Sequence, residues 1–418
     1  MFFYNLLLTL ALPWMWGRLW WKARAEPEYA ARMPERFGIL PSHLPKNAIW
    51  FHCVSAGETI GAAPMIRELH GRLPNVPILV TTMTPAGAAR AEALLGDTVA
   101  HCRAPYDFPW AVDRCLKHLR PRALVLVETE LWPNLVVRTA ASVPVFVINA
   151  RLSARSHARY ARVPRLMRRV LGNLSAVLCQ YEDSAERFRD LGLPAARAHV
   201  TGSVKFDIDL PPVFAKDAGV WIAGSTHPPE EEIVLDAHQR LRSRFPHLRL
   251  LLVPRHVTRA PAVLRMATRR GLCARLQSST SEEPADVVVG DVMGTLRGLY
   301  GAADVAFLGG SLDATGGHNP IEAAVHGRPM VMGPQRRNFE EVCRRFEEAG
   351  CLHLARNAEG LADAVAERIA NPERRQREGA AARQVVMDNA GATRRTVDAL
   401  CGWLTAADAR TGPVFEAP

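Results

Sequence analysis

Between Ala48 and Gln180, short apolar runs alternate with segments whose apolar positions recur at helical spacing. The runs are "IWFHCV" (49–54), "ILVTT" (78–82), "ALVLVE" (123–128), "VPVFVIN" (143–149) and "AVLCQ" (176–180). Helix-like stretches such as Ile60–Leu73, Pro109–Leu119 and Pro133–Ala141 lie between them. Runs apolar at every position suit strands buried on both faces, so the alternation predicts a parallel sheet covered by helices on both sides. The pattern lapses across the proline-containing "KFDIDLPPVFAKDAG" (205–219) and restarts with "VWIAGS" (220–225), "LRLLLVP" (248–254), "DVVVG" (286–290), "DVAFLGGS" (304–311) and "PMVMG" (329–333). From about Ala358 the chain reads as helices. The expectation is an α/β protein of two doubly wound domains facing a cleft, at 25–206 and 220–357. A linker (207–219) joins them, and helices with a tail (358–418) follow.

The first residues, "MFFYNLLLTLALPWMWGRLWWKAR", form a separate element (1–24). Met1 to Gly17 carries no charge, and Pro13 interrupts it. Trp14, Trp16, Trp20 and Trp21 cluster beside Arg18, Lys22 and Arg24, a composition typical of a membrane interface. The basic residues follow the apolar run, whereas in a signal peptide they precede it. An uncleaved membrane anchor or an interfacial helix is expected, with the protein on the cytoplasmic side of the bilayer. A helix packed on the protein's own surface is the plainer alternative.

Composition narrows the partners. The chain has 418 residues, is 48% hydrophobic and carries a formal charge of +10. That balance suits an acidic partner. Basic residues are scattered, and no RNA-module or zinc-finger spacing occurs, which disfavours nucleic acid. Eight widely spaced cysteines without CxxC read as buried, reduced thiols. No His/Cys/Asp cluster has metal-ligand spacing.

In doubly wound sheets, ligands bind beyond the carboxyl ends of the strands, so residues directly after strands carry the candidate chemistry. "SAGE" (55–58) matches a capping box, in which Ser55 and Glu58 satisfy each other's backbone. Gly57 and Gly61 flank the glutamate and would let a ligand approach, so Glu58 is either a cap or a reactive carboxylate. "VETELWPN" places Glu128 and Glu130 at a strand end, at a site or capping the next helix. "TGSVKFD" places Lys205 near the domain junction. "LLLVPRH" puts Pro254 and Arg255 after a strand, where an arginine fork suits phosphate. "GGSLDATGGHNPIEAA" joins a Gly-rich loop to Asn319, Pro320, Ile321 and Glu322 at a helix start. Its backbone N–H groups offer a place for a phosphate, and Glu322 suits ribose hydroxyls or simply the helix dipole. Neither GxxxxGK[ST] nor a GxGxxG after the first strand occurs, which disfavours P-loop and dinucleotide enzymes.

Ten segments in order, among them "HCVSAGETIGAAPMIREL", "YDFPWAVDRCL", "ETELWPN", "INARLSARS", "TGSVKFD", "LVPRH", "GGHNPIEAA" and "VMGPQRRNF", resemble the 3-deoxy-D-manno-octulosonic acid (Kdo) transferase family. The resemblance implies a GT-B glycosyltransferase with a CMP-Kdo donor and a lipid A precursor as acceptor. It implies no cofactor and no metal, an inverting reaction, and a place on the cytoplasmic face of the inner membrane. By motif, Glu58 would be the general base, with Glu128 and Lys205 stabilising the transition state. CMP contacts would fall on Pro254 and Arg255, on Met293, Gly294 and Thr295, and on Asn319 to Glu322. Many relatives carry glutamate where this chain has Thr295, so only a backbone contact would survive there. Other two-domain sugar-nucleotide enzymes, such as a UDP-sugar epimerase, and a non-catalytic membrane scaffold are the alternatives.

Overall fold

The computed structural model describes residues 1–208, 219–280 and 283–411, with side chains to 405. The expected linker falls largely outside the described residues. The chain divides into two units, Met1–Asp207 with Ala390–Pro418, and Ile208–Asn389.

The first unit is built on β1 (Ile49–His52), β2 (Ile78–Thr82), β3 (Ala100–Arg103), β4 (Ala123–Val127), β5 (Val145–Ala150), β6 (Ala176–Cys179) and β7 (Ala198–Val200). They form one sheet in the order β3-β2-β1-β4-β5-β6-β7, every pair parallel. Alternate residues of each strand feed opposite faces. Trp50, Leu79, Leu124, Leu126 and Val147 join one core cluster. Phe51, Val80, Val125, Val127 and Ile148 join the other. Both faces are covered, which is why these strands read as unbroken apolar runs.

The second unit repeats the plan with β8 (Val220–Thr226), β9 (Arg249–Pro254), β10 (Ala274–Leu276), β11 (Val287–Val289), β12 (Val305–Leu308), β13 (Met330–Met332) and β14 (Leu352–Leu354). Its order is β10-β11-β9-β8-β12-β13-β14, again all parallel. Trp221, Leu252, Val289, Phe307 and Val331 centre its core. All ten strands expected from the pattern are present. The four unforeseen strands are β3, β7, β10 and β14, the two edges of each sheet. They are short ("AHCR", "AHV", "ARL", "LHL") and partly exposed, so no continuous apolar run marks them.

The C-terminal helices are shared between the units. The last helix, Ala392–Thr411, returns to the first unit, where Val397, Leu400 and Leu404 enter the core. Trp403 stacks on Phe146 with ring centroids 5.4 Å apart. Asp207 anchors the start of this helix, its carboxylate accepting from the amides of Gly391 (2.6 Å), Ala392 (3.1 Å) and Thr393 (2.6 Å).

The N-terminus forms two helices, α1 (Phe2–Leu10) and α2 (Leu12–Ala25). Among the described residues no helix is long and apolar enough to cross a membrane. Pro13 sits in the first turn of α2, where its missing N–H is tolerated, and so starts a new helix. The nine residues of α1 rise about 1.5 Å each, well short of a hydrocarbon core of roughly 30 Å.

Candidate active site

In the first sheet the chain leaves β1 to one side through β2 and β3, then returns to β1's other side with β4. The topological switch point thus lies between β1 and β4, where open α/β sheets bind ligands. Glu58 follows β1, and Glu128 with Glu130 follows β4.

Glu58 lies in the first turn of α3 (Ala56–Arg72). The capping box is present. The Glu58 amide donates to Ser55 Oγ at 3.3 Å, Glu58 Oε1 accepts from Ser55 Oγ at 2.7 Å, and Oε2 accepts from the Val54 amide at 2.8 Å. The side chain is nevertheless strained electrostatically. The residue is only 8% exposed. Burial, with the Glu130 and Glu128 carboxylates nearby, lifts its pKa to about 7 against the pull of the Ser55 and Val54 hydrogen bonds. The glycines leave room beside it. A methyl on Gly57 would meet only Ser55 Oγ at 3.9 Å, and one on Gly61 only Val204 Cγ2 at 3.8 Å and Asn149 Nδ2 at 3.9 Å.

Glu128, directly after β4, has φ of 60°, a left-handed conformation that glycine adopts readily and glutamate does not. Asn149 near the end of β5 has φ of 50°. Backbone strain of this kind clusters at functional sites, because a fixed side-chain direction has to be held by the surroundings. Glu130 accepts from the indole N–H of Trp132 at 2.7 Å, and burial lifts its pKa above the ordinary value. Lys205 sits in the turn Val204–Phe206, whose Val204 approaches α3 at Gly61.

In the second unit, Pro254 ends β9 and Arg255 follows it, with the Arg255 amide donating to Thr226 O at 3.0 Å. The Arg255 guanidinium acts electrostatically on Glu322. Burial raises the Glu322 pKa, opposed by the Asn319 side chain and the Arg297 and Arg255 charges. Asn319 Oδ1 caps the four-residue helix Ile321–Ala324 through the Ile321 amide at 3.1 Å, and Pro320 is its N-cap residue. Arg255, Asn319 and Glu322 are therefore one group. Met293 is 77% exposed, and Gly294 adopts φ of 83°. The Thr295 hydroxyl bonds within its own segment to Val292 O (3.0 Å) and to Gln277 Oε1 (3.2 Å).

One expectation is corrected here. Most of the Gly-rich loop's amides are already engaged within the protein and are not open to a phosphate. The amides of Gly310 (2.6 Å), Ser311 (2.9 Å) and Leu312 (2.8 Å) donate to the carboxylate of Glu230, which is fully buried. The amides of Gly317 and His318 donate to Gly310 O and Gly309 O. Glu230 also accepts from the His227 amide at 3.0 Å, and His227 Nε2 lies 2.9 Å from His318 Nε2. The only signal for this residue was "THPPEEE", which reads as ordinary acidic placement at a helix start. Among the described residues no group of three His, Cys, Asp or Glu side chains could hold a metal ion.

Residues 31–208 match the family model described as 3-deoxy-D-manno-octulosonic-acid transferase (kdotransferase). The chain is 35% identical to the 3-deoxy-D-manno-octulosonic acid transferase of Haemophilus influenzae, over 96% of this chain and 98% of that one. It is also 35% identical to the Bordetella pertussis enzyme of the same name, over 96% and 99%. The chain belongs to the Kdo transferase family. Its fold is shared more widely. The UDP-GlcNAc 2-epimerase of Neisseria meningitidis superposes with a TM-score of 0.58 at 13% identity, covering 85% of this chain and 100% of that one. MurG of Acinetobacter baumannii superposes with a TM-score of 0.57 at 13% identity, covering 86% and 100%. The two parallel seven-stranded sheets are those of a GT-B fold, and the protein is a Kdo transferase enzyme.

Proposed function

We propose that the protein transfers Kdo from CMP-Kdo to a lipid A precursor with inversion, and that Glu58 is the general base. The observation that carries this is the state of Glu58: a buried carboxylate beside a topological switch point, with its pKa raised to about 7 and open space at Gly57. A base is most effective when its pKa lies near the working pH. Glu58 takes the proton of an acceptor hydroxyl as that oxygen attacks the anomeric carbon of Kdo. The bond from that carbon to the phosphate oxygen breaks, and its electron pair leaves with CMP from the opposite face. One carboxylate suffices because a departing phosphate needs no protonation.

The developing positive charge on the sugar falls to Glu128, and the Kdo carboxylate to Lys205. The nucleotide falls to Pro254 and Arg255, to the backbone of Met293 to Thr295, and to Asn319 to Glu322, with Glu322 on the ribose. With the loop amides held by Glu230, the leaving phosphate is assigned to the Arg255 fork. Helices α1 and α2 are assigned to the interface of the inner membrane on its cytoplasmic face. Exposed Phe2, Phe3, Leu7, Leu10, Trp14, Trp20 and Trp21 beside Arg18, Lys22 and Arg24 support that placement.

Incubation with CMP-Kdo and the lipid A precursor, followed by mass analysis, tests the reading. The expected product gains the mass of one or more Kdo residues and releases CMP in equal amount. No product with a folded protein overturns it.

A further inference from the structure

Beneath α2 lies a cavity of about 200 Å³, lined by none of the residues assigned above to the base, the sugar or the nucleotide. Its walls include Trp14, Arg18 and Lys22 from α2, and Arg36, Met83 and Tyr106 from the body of the first unit. No carboxylate lines it, and among the described residues none lies within ion-pair distance of these three cations. Arg18 and Lys22 instead face aromatic rings, at 5.6 Å from Trp14 and 4.8 Å from Tyr29. Arg36 is the deepest, at 1% exposed. Its Nη2 donates to Met83 O at 3.0 Å, its Nη1 lies 3.5 Å from Met83 Sδ, and its Nε has no hydrogen-bond partner.

The Glu35 charge and the Tyr106 hydroxyl ease its burial, yet no carboxylate lies within ion-pair distance among the described residues; a buried guanidinium placed so is costly unless an anion completes it. Phosphate fits the fork geometry. The remaining walls, apart from Thr84, are aromatic, thioether and aliphatic, which suits an anion joined to an apolar body. The volume lies below the roughly 300–1,000 Å³ typical of pockets for drug-sized ligands, and so admits a headgroup but not a nucleotide sugar. The outer side of the same two helices is a row of exposed aromatic and aliphatic side chains, Phe2 and Phe3 at 75% and 77% among them.

We infer that this cavity binds the phosphate of an anionic lipid, with Arg36 at its base and Arg18 and Lys22 at its mouth. The site rests on the membrane-interface reading of α1 and α2. The phosphate belongs either to the acceptor or to a bulk phospholipid, and the two are separable.

The test uses the full chain and phosphatidylcholine vesicles with or without phosphatidylglycerol, read by co-flotation. Arg36→Gln and the double variant Arg18→Gln/Lys22→Gln are compared with Arg24→Gln, a cation of α2 that does not line this cavity. Surface charge alone predicts a roughly fivefold loss for Arg24→Gln and little for the buried Arg36→Gln. The cavity predicts a loss of about tenfold or more for Arg36→Gln on phosphatidylglycerol vesicles, in the acceptor's KM in phospholipid-free detergent, or in both. A raised KM assigns the phosphate to the acceptor; a vesicle loss without it assigns a bulk phospholipid. Inorganic phosphate that releases the parent protein from vesicles, but not Arg36→Gln, further supports the site.

A folded Arg36→Gln that matches the parent in both measurements overturns the inference. If Arg36→Gln does not fold, the double variant decides. A loss beyond twice the logarithmic loss of Arg24→Gln upholds the site, and a loss equal to it overturns the site. Product formation by Arg24→Gln reports on the transferase reading separately, so either can fail alone.

Discussion

Replacing Glu58 by glutamine separates its observed cap from its proposed role as base, because the amide keeps an acceptor for the Val54 N–H but loses the basicity. A carboxyl held at about 7 in the fold and at 4.5 in the unfolded chain opposes ionisation by roughly 3 kcal/mol. The sign follows from the raised value. Below about pH 4.5 the group is neutral in both states and has no effect. Between about pH 4.5 and 7 the unfolded chain ionises while the folded state keeps its proton, so stability falls across that window and levels off above 7. At pH 8, Glu58→Gln should therefore be more stable than the parent by up to roughly 3 kcal/mol, less any capping loss of about 0.5–2 kcal/mol. At pH 4 the gain should vanish. Transfer should fall by about 10²–10⁴-fold at pH 8. The parent kcat should rise about tenfold per pH unit below 7 and then level off. Ser55→Ala, which removes a hydrogen bond that lowers the Glu58 pKa, should move that midpoint upward. Thermal melts at the two pH values and a kcat–pH profile check all of this. A Glu58→Gln protein that melts early at both pH values yet turns over normally would refute the reasoning, and Glu58 would be a cap alone.

Glu128→Gly should relieve the left-handed backbone at φ of 60° and raise stability by about 1 kcal/mol in thermal melts, while turnover falls. Glu128→Ala should lose the same turnover without the gain. Glu230→Ala leaves three loop amides and the His227 amide without their acceptor. It should cost about 3 kcal/mol or more in denaturant titrations and weaken CMP binding in calorimetry, with Glu230→Gln recovering part of both. A methyl on Gly333 would sit 2.1 Å from Ser311 O, whereas one on Gly298 meets nothing within 4 Å. Gly333→Ala should therefore destabilise by roughly 1–3 kcal/mol, and Gly298→Ala should stabilise by about 0.5–1 kcal/mol, both read by melting.

How much of this was legible in the sequence depends on whether the signal is local. The ten central strands are buried on both faces, and an unbroken apolar run such as "ALVLV" can mean little else at that length. The four edge strands are held by one neighbour each and keep polar residues such as His101, Arg103 and Arg275. What makes them strands is the pairing, which no local pattern carries. The same division runs through the site. Glu58, Glu128 and Arg255 could be named as candidates because each lies shortly after a strand. Glu230 could not, because its partners are 80 residues away in the Gly-rich loop. A glycine loop after a strand suggests open amides; whether they are open depends on a carboxylate from another helix. The N-terminus followed a third course, since its composition suggests an interface while its length was ambiguous until Pro13 divided it into two helices.

The capping and catalytic readings of "SAGE" are compatible once oxygens are counted. An ionised carboxylate offers about four lone-pair sites. In Glu58 one site on Oε1 is taken by Ser55 Oγ and one on Oε2 by the Val54 amide. Each oxygen keeps a second site, and the neighbouring Gly57 leaves the space beside it open. The two hydrogen bonds fix the side chain's direction, which a base on a long flexible side chain otherwise lacks. They also lower a pKa that burial and the Glu130 and Glu128 charges raise, and the balance rests near 7. Under the proposed mechanism the cap would therefore serve the base twice, by orientation and by tuning. A glutamate buried as deeply without the cap would stay protonated at neutral pH, and one fully solvated would be too weak a base to take a hydroxyl proton.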